Sequence, residues 1–436
     1  MLVDGSFLRL FFVPETRKKI FTTLMLLLAY RVGFHVPIPG MSAEFMETMS
    51  QNALFGLISA FSGGAIGQTV IFGLGIMPYI SASIIFSMLT KVSPTLEAVQ
   101  KEGAAGQKKI NQWTRLAVVP IAFLQGLLIY TGVFLKQPQM VEPYMQGHPI
   151  VLGLIVISTL LAGALFVMWV GELITEHGVG NGASLIIMAG IVSNIPSAMA
   201  RMAGQPEFWQ MVLTTIGIWV VTIFVVVFIH KGARRVPIQY ARLTRGRRVY
   251  GGQRHYLPLK VNMAGVMPII FASVLFIIPT MLFEWLGLVQ LRAIFNDQTG
   301  FVYVCTYIGL VFAFCFFWNR LMFQPDEIAK NLREHGSFIP GIRPGARTAE
   351  YLTNILTRIP LAGAAFLALV AVYPNFVTKN TPIPNDLRYF LGGTSVLIVV
   401  GVALELVDRL NAQLVMREYD GVAGGSGPRW TKKKGA

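Results

Sequence analysis

The sequence predicts an all-α integral membrane protein with ten transmembrane helices, from its composition and from the length of its apolar runs. Of the 436 residues, 54% are hydrophobic and 13% are charged, whereas charged residues make up about a quarter of a soluble protein. Runs of about 20 apolar residues can cross a hydrocarbon core roughly 30 Å thick. Ten such spans are predicted, near residues 20–36, 69–89, 116–135, 150–170, 183–196, 211–229, 264–283, 301–318, 359–374 and 389–406.

The distribution of basic residues predicts that both termini are cytoplasmic. Lys and Arg stay preferentially on the cytoplasmic side of short loops. With the amino terminus inside, 30 of the 36 Lys and Arg residues fall in cytoplasmic segments, five fall outside, and Arg31 lies within the first span. No cleavable signal pattern precedes that span, so we expect the span itself to direct insertion into the membrane.

The ten spans divide into two sets of five, and an odd number in each set sends the second set into the membrane from the opposite face. We therefore predict two inverted, pseudo-symmetric halves, residues 1–200 and 201–410, followed by a basic cytoplasmic tail, residues 411–436. Inverted repeats are typical of transport proteins, whose working site lies at the interface between the halves.

Two cytoplasmic loops have patterns that simple connectors lack. Residues 231–260 hold nine basic residues and no acidic one, and Gly251 and Gly252 lie between β-forming residues, which predicts a hairpin. The segment FIPGIRPG in loop 320–358 predicts a stiff turn that presents Arg343. The charges fit two alternatives: a topology signal held by anionic lipids, or a docking surface for an acidic partner such as RNA.

The chain shows no pattern for catalysis. It has no phosphate-binding G-x-x-x-x-G-K-[ST] loop, and its six histidines are scattered without a metal-ligand spacing. We therefore expect no enzyme activity, no cofactor and no metal. No Asp or Glu lies in the middle of a predicted span, where an ion-coupled carrier normally keeps an ionisable group. A passive pore is favoured over a solute carrier, and a non-conducting insertase or scaffold stays open.

The segment FSGGAIGQTVIFGLGIMPYI, residues 61–80, is apolar but rich in glycine and interrupted by Pro78, so it is a poor continuous helix. At its end Ile76 and Ile80 share a helical face, and Ala183 and Ile187 repeat that spacing in the fifth span. This spacing fits side chains that face lipid as well as side chains that line a pore.

Six stretches spread over nearly the whole chain resemble the signature segments of one family. They are PIPGM from Pro37, FSGGAIGQTVIFGLGIMPYISASII from Phe61, GELITEHGVGNGAS from Gly171, LPLKVNMAGVMP from Leu257, FIPGIRPGARTAEYL from Phe338 and GGTSVLIVVGVALE from Gly392. The chain resembles the SecY family, the channel subunits of the bacterial Sec protein translocon. The resemblance implies ten helices around a central hourglass pore, which passes unfolded secretory polypeptides across the membrane and releases membrane helices sideways into it.

Matched motif by motif, the resemblance implies three features of the pore. A ring of mostly aliphatic side chains would close its waist, formed by Ile76, Ile80, Ala183, Ile187, Ile270 and Ile398. Ala183 departs from the bulky residue usual there, so the ring would be wider at that point or Leu185 would compensate. A plug near residues 54–67 would include Leu54, Phe55, Gly56, Leu57, Ile58, Phe61, Ser62, Gly63, Gly64 and Gly67. A lateral gate would include Ser81, Gln125 and Ile278.

The resemblance also implies a location and a set of partners. The chain would lie in the bacterial cytoplasmic membrane beside small SecE and SecG subunits, and would receive signal sequences and nascent chains. The SecA motor ATPase, or the ribosome through its RNA and protein, would supply the energy by docking on the two basic loops, near anionic lipids. The predicted docking residues are Arg234, Arg235, Arg242, Arg245, Arg247, Arg248 and Arg343.

Overall fold

The computed structural model describes residues 14–41, 70–135, 140–193, 195–203, 208–240, 243–245, 248–250, 254–262, 265–297, 299–379 and 393–423. Helices dominate these ranges. They are α1 (Pro14–Val32), α2 (Met77–Val92), α3 (Pro94–Lys101), α4 (Ala104–Ile129), α5 (Pro149–His177), α6 (Gly182–Ser193), α7 (Ile195–Met202), α8 (Phe208–His230), α9 (Met267–Trp285), α10 (Val289–Asn296), α11 (Phe301–Met322), α12 (Pro325–Glu334), α13 (Ala346–Lys379) and α14 (Gly393–Ala423). The strands are β1 (Ala233–Tyr240), β2 (Leu243–Arg245), β3 (Arg248–Tyr250), β4 (Arg254–Lys260) and β5 (Ser337–Phe338).

Several of these helices have the length and composition of membrane spans. Within the described ranges, five stretches are long and apolar enough to cross a bilayer, namely Ala104–Gly132, Pro149–His177, Phe208–His230, Phe301–Glu334 and Ala346–Val377. The shorter apolar helices α2 and α6 coincide with parts of the second and fifth predicted spans. These helices agree with the predicted class, and the number ten stays a prediction.

The second predicted span begins later than its apolar run suggests. Residues 71–76 form successive turns, and the helix α2 begins only at Met77. Gly75 has a φ of +53°, a left-handed backbone conformation that favours glycine. Pro78 lies within the first two positions of the helix, where its missing N–H costs no intrahelical bond. The local backbone chemistry therefore overrides the apolar run and sets the start of the helix.

The chain divides into two compact units, Met1–Ile195 together with Val402–Ala436, and Pro196–Gly401. In the first unit α5 is the central helix and contacts α1, α2, α4 and α6. Its core includes Ala122 of α4 and Val156, Leu160 and Ala164 of α5, each at most 2% exposed. Small residues at such crossings let helices approach closely, which is the usual basis of helix packing in membranes.

In the second unit α13 is the central helix and contacts α8, α11 and α12. Its amino-terminal part meets a small sheet in one apolar cluster. Val236 and Leu259 from the sheet pack there with Ile339 and with Leu352 and Leu356 of α13, and each is at most 4% exposed.

The sheet joins the two loops that the sequence treats separately. Its strand order is β4-β1-β5, with both pairs antiparallel. In β1 the side chains of Val236 and Ile238 are buried while those of Arg235 and Pro237 are exposed, as alternation along a strand requires. The hairpin predicted around residues 251–252 is wrong in its pairing: β4 pairs with β1, and β3 pairs with β2. The ladder between β4 and β1 is longer, and it allows one face of the sheet to be buried against α13. The local turn signal gives no information about this burial.

Candidate functional site

The turn before α2 places Ile76 and Ile80 in the core of the first unit. Ile76 is the residue that precedes the helix, and the backbone N–H of Ile80 donates to its carbonyl at 3.1 Å. Their side chains are 1% and 7% exposed. Phe72 fixes the turn itself, because its ring lies 6.0 Å from that of Tyr30 in α1 and 5.5 Å from that of Phe166 in α5, centre to centre.

Asn181 defines the start of α6 and therefore the position of Ala183. Its Oδ1 accepts hydrogen bonds from the backbone N–H groups of Ala183, at 3.0 Å, and of Ser184, at 3.4 Å. These are the second and third residues of the helix, the N–H groups that a capping Asn normally satisfies. The preceding Gly180 has a φ of +89°, so the motif GVGNGAS is a tight turn followed by a helix cap.

A threonine then ties α6 to α5. The Thr175 hydroxyl donates to the Gly171 carbonyl at 2.9 Å and accepts the backbone N–H of Gly182 at 2.9 Å. On the other side of the turn, the backbone N–H of Val179 donates to the Thr23 hydroxyl of α1 at 3.1 Å. The turn between α5 and α6 is therefore held by hydrogen bonds to a threonine of α5 and to a threonine of α1.

Gly171 is a residue of the site that the ring prediction does not include. A Cβ atom at Gly171 would lie 3.5 Å from Ile76 Cδ1, 3.3 Å from Ile186 Cδ1 and 3.8 Å from the backbone nitrogen of Ala183. The start of α2 and the start of α6 thus meet at this glycine. The sequence signal for this contact is the glycine at each end of the segment GELITEHGVGNG, Gly171 and Gly182. A glycine permits close packing but does not identify the residue that packs against it.

The other predicted ring residues of the first unit have different degrees of burial. Ile187 is 2% exposed, and Ala183 is half-buried. Leu185 is also 2% exposed, and its Cδ1 would lie 3.7 Å from a Cβ at Gly180. Leu185 therefore packs on the turn before α6, on the helix face opposite Ala183.

In the second unit Ile270 and Ile398 are both fully buried, at 1% and 0% exposed. Ile270 lies in the first turn of α9, where its backbone N–H donates to the Val266 carbonyl at 3.2 Å. Val266 packs on α14, because a Cβ atom at Gly401 would lie 2.4 Å from Val266 Cγ1. Gly401 is three residues after Ile398, so the packing brings the two helix segments that hold these isoleucines together.

The residues predicted for the lateral gate have separate positions. Ser81 and Gln125 are half-buried on α2 and α4, two helices that contact each other. The Gln125 Oε1 atom is buried and has no hydrogen-bond partner within the described residues. Ile278 lies on α9, and its side chain is outside the described part of the chain, as are the plug residues, Leu54 to Gly67.

The predicted docking residues lie on the two basic loops. Arg234 and Arg235 are exposed on β1, and Arg343 is exposed in the turn that follows β5. Two glycines with left-handed φ angles, Gly341 at +84° and Gly345 at +104°, shape that turn. Arg242 and Arg247 lie outside the described residues, and for Arg245 and Arg248 only the backbone, in β2 and β3, is described.

Charged groups are arranged at the edges of the core. Arg115 of α4 forms an ion pair with Glu172 of α5 at 2.5 Å. Arg31 donates to the Ser193 hydroxyl of α6 at 3.1 Å and lies 5.2 Å from the centre of the Phe34 ring. Within the described residues the buried polar side chains are all Thr, Ser or Asn, and no group of three or more His, Cys, Asp and Glu could hold a metal.

Comparisons with known proteins give one family. A sequence model of the SecY family matches residues 70–407. The protein translocase subunit SecY of Streptomyces scabiei is 40% identical over 433 residues, which cover 95% of this chain and 99% of the relative. The SecY subunit of Escherichia coli K12 is 38% identical over 424 residues, 93% of each chain.

Solved structures give the same fold at lower identity. A structure described as a protein conducting channel has a TM-score of 0.63 and 16% identity, and it covers 93% of this chain and 94% of its own. Canine Sec61 in a ribosome-channel complex has a TM-score of 0.60, with the same identity and coverage. By the match to the family model and the identity to its members over almost the full length, this chain belongs to the SecY family, a family of multi-pass membrane proteins.

Proposed function

We propose that this chain is the protein-conducting channel of a Sec translocon. It passes unfolded secretory polypeptides across the cytoplasmic membrane and inserts membrane helices laterally. Membership of the SecY family is the observation that supports this best, because members at about 40% identity are translocase subunits. The chain itself would not be an enzyme, and the energy would come from a motor or a ribosome bound to it.

The pore would be closed by an apolar ring of Ile76, Ile80, Ala183, Ile187, Ile270 and Ile398. A narrow aliphatic constriction holds no stable column of water, so ions meet a barrier while the pore is shut. Aliphatic side chains also make no directional bonds, so they would release any passing sequence. The neutral character of the buried polar groups in the described residues supports a passive pore over an ion-coupled carrier.

The plug and the lateral gate would complete the channel. The plug, residues 54–67, would fill the outer funnel until a substrate displaces it. The gate would open between the helices that hold Ser81 and Gln125 and the helix that holds Ile278. Polar contacts between membrane helices contribute about 0.6 to 2 kcal/mol each, which is weak enough for an apolar signal sequence to compete with them.

The docking surface would be the sheet together with the turn around Arg343. Because β5 pairs with β1, the two basic loops form one platform, and clustered arginines bind phosphate backbones without reading their sequence. The partners would be SecA or the ribosome on this platform, with SecE and SecG beside the channel and anionic lipids around it. Both termini would lie in the bacterial cytoplasm.

Reconstitution tests the proposal. Proteoliposomes that contain this chain with SecE and SecG should protect a secretory precursor from protease when SecA and ATP are added. Ile80→Ser should raise the ion conductance of the resting channel, whereas Ile85→Ser, at a position on the same helix that is 45% exposed, should not. A saturable flux of small solutes without precursor transport would instead indicate a carrier, and equal conductance of both variants would indicate a scaffold without a pore.

A further inference from the structure

Helix α13 contains a proline whose missing hydrogen bond is replaced from another helix. The helix runs without a break from Ala346 to Lys379 and has Pro360 in its interior. Proline has no backbone N–H, so the carbonyl four residues earlier, that of Leu356, loses its intrahelical partner. The side chain of Asn319 in α11 fills that role, because its Nδ2 donates to the Leu356 carbonyl at 2.6 Å.

The hydrogen bond between Asn319 and Leu356 is buried, so its loss would be costly. Asn319 is 6% exposed and Leu356 is 4% exposed. A carbonyl without a partner is costly in such a place, because neither water nor lipid replaces the lost bond. An amide in an apolar helix interface is costly for the same reason unless it finds a partner. Asn319 and Pro360 are each unfavourable alone, and together they compensate for each other.

The Asn319 amide is bonded at one end only, beside a small cavity. Pro360 and Asn319 line a small cavity of about 10 Å³, enough for about one water molecule, with Asn262, Cys315 and Gly363. The Oδ1 atom of Asn319 is buried and has no hydrogen-bond partner within the described residues. The amide is therefore held through its donor end alone, which allows it to follow the Leu356 carbonyl if α13 bends at Pro360. Proline is a common site of helix bending.

We propose that Asn319 is a positioning residue that couples α13 to α11 through the carbonyl freed by Pro360. The helix α13 begins at Ala346, three residues after Arg343 of the docking turn. A partner that binds this turn displaces the start of α13, and the Asn319 bond passes the displacement to α11. Only this last step depends on the proposed function, since the compensation between Asn319 and Pro360 is a property of the fold.

A double-mutant cycle tests the pair. Asn319→Leu should reduce the resistance of the purified complex to thermal unfolding, because it leaves the Leu356 carbonyl without a donor. In the Pro360→Ala background residue 360 supplies its own N–H to that carbonyl, so the same Asn319→Leu change should have little effect. The expected coupling is about tenfold in the ratio of folded to unfolded protein. Cys315→Ala, which lines the same cavity and removes no such bond, is the control for packing alone.

Transport by the unaltered channel, the two single variants and the double variant tests the relay, that is, whether the Asn319 bond passes the displacement of α13 to α11. In proteoliposomes with SecE, SecG and SecA, Asn319→Leu should lower the rate of precursor translocation about tenfold while the affinity for SecA is unchanged, and Pro360→Ala should restore the rate. Independent effects of the two changes on unfolding would overturn the compensation. A normal translocation rate in the folded Asn319→Leu channel would overturn the relay. Failure of the unaltered channel to transport would instead count against the proposed function, and the unfolding cycle would still test the pair.

Discussion

Gly182, the first residue of α6, lies directly against the backbone of Gly171 in α5. A Cβ atom at Gly182 would lie 1.8 Å from the Gly171 carbonyl oxygen and 2.7 Å from its carbonyl carbon. The Thr175 hydroxyl bonds to both residues. This glycine pair sets the distance between α5 and α6, and it therefore sets where Ala183 stands relative to Ile76.

Gly182→Ala should force α6 away from α5, because the atom in its path is backbone and cannot rotate aside. We expect a destabilisation of about 2 to 3 kcal/mol, together with a higher ion conductance of the resting channel. Thermal unfolding of the purified complex and conductance in planar bilayers measure the two effects. Gly217→Ala in α8, where nothing lies within 4 Å of an added Cβ, should change stability by at most about 0.5 kcal/mol. Equal behaviour of the two variants would contradict the close contact.

Thr175→Val keeps the shape of the side chain and removes the hydroxyl. The backbone N–H of Gly182 then has no acceptor at the start of α6, and the expected cost is about 1 to 2 kcal/mol. Thermal unfolding checks this value. Thr357→Val is the matched control, since the Thr357 hydroxyl donates only within its own helix, to Thr353 at 3.0 Å and Asn354 at 3.1 Å, and is exposed. A loss of stability in Thr357→Val as large as that in Thr175→Val would argue against a special role for the Thr175 hydroxyl between α5 and α6.

Ala183→Ile should narrow the proposed ring. The backbone of Ala183 and the side chain of Ile76 approach the same point above Gly171, so a larger side chain at 183 adds aliphatic volume beside Ile76. We expect a lower resting ion conductance, because a tighter apolar constriction is harder to wet. Ala189→Ile, on another face of α6, is the control and should leave conductance unchanged. A rise in conductance for Ala183→Ile would show that position 183 does not face the constriction.

Arg343→Glu should weaken the binding of SecA or of ribosomes. It replaces an exposed cation in a turn stiffened by two left-handed glycines with an anion, and we expect a loss of affinity of about tenfold with a weaker dependence on salt. Titrations at low and high salt measure both quantities. Lys330→Glu in α12 is the control, because this exposed lysine lies near Glu334, at 3.9 Å, and outside the turn. If both variants lose affinity equally, the effect is one of net charge and not of the turn.

Much of the molecule could be predicted from the sequence because the signals are local. Apolar runs and basic loops are each read within a short stretch of sequence, and they led to the membrane class and to the two basic loops. The helix cap that Asn181 provides in GVGNGAS is equally local, although the sequence predicted only an apolar span at residues 183–196 there. The start of α2 at Met77, later than the predicted residue 69, is also set by local residues, since Gly75 and Pro78 mark that start. The family resemblance added the predicted roles of Ile76 and Ile80, which no periodicity could supply.

The remaining features depend on residues that are far apart along the chain. The pairing of β5 with β1, nearly 100 residues away, and the pairing of β4 with β1 in place of the predicted hairpin follow from burying Val236 and Ile339 against α13. The meeting of Ile76 with Ala183 at Gly171, and the bond from Asn319 to Leu356, are likewise decided by which helices pack together. By itself the sequence determined where the chain is apolar, where it is charged and where a helix begins or breaks, because these are properties of neighbouring residues. Only the tertiary structure decided which side chains pack against Gly171 and that the Asn319 amide replaces the hydrogen bond that Pro360 lacks. The physical reason is that both features depend on the contact between two helices.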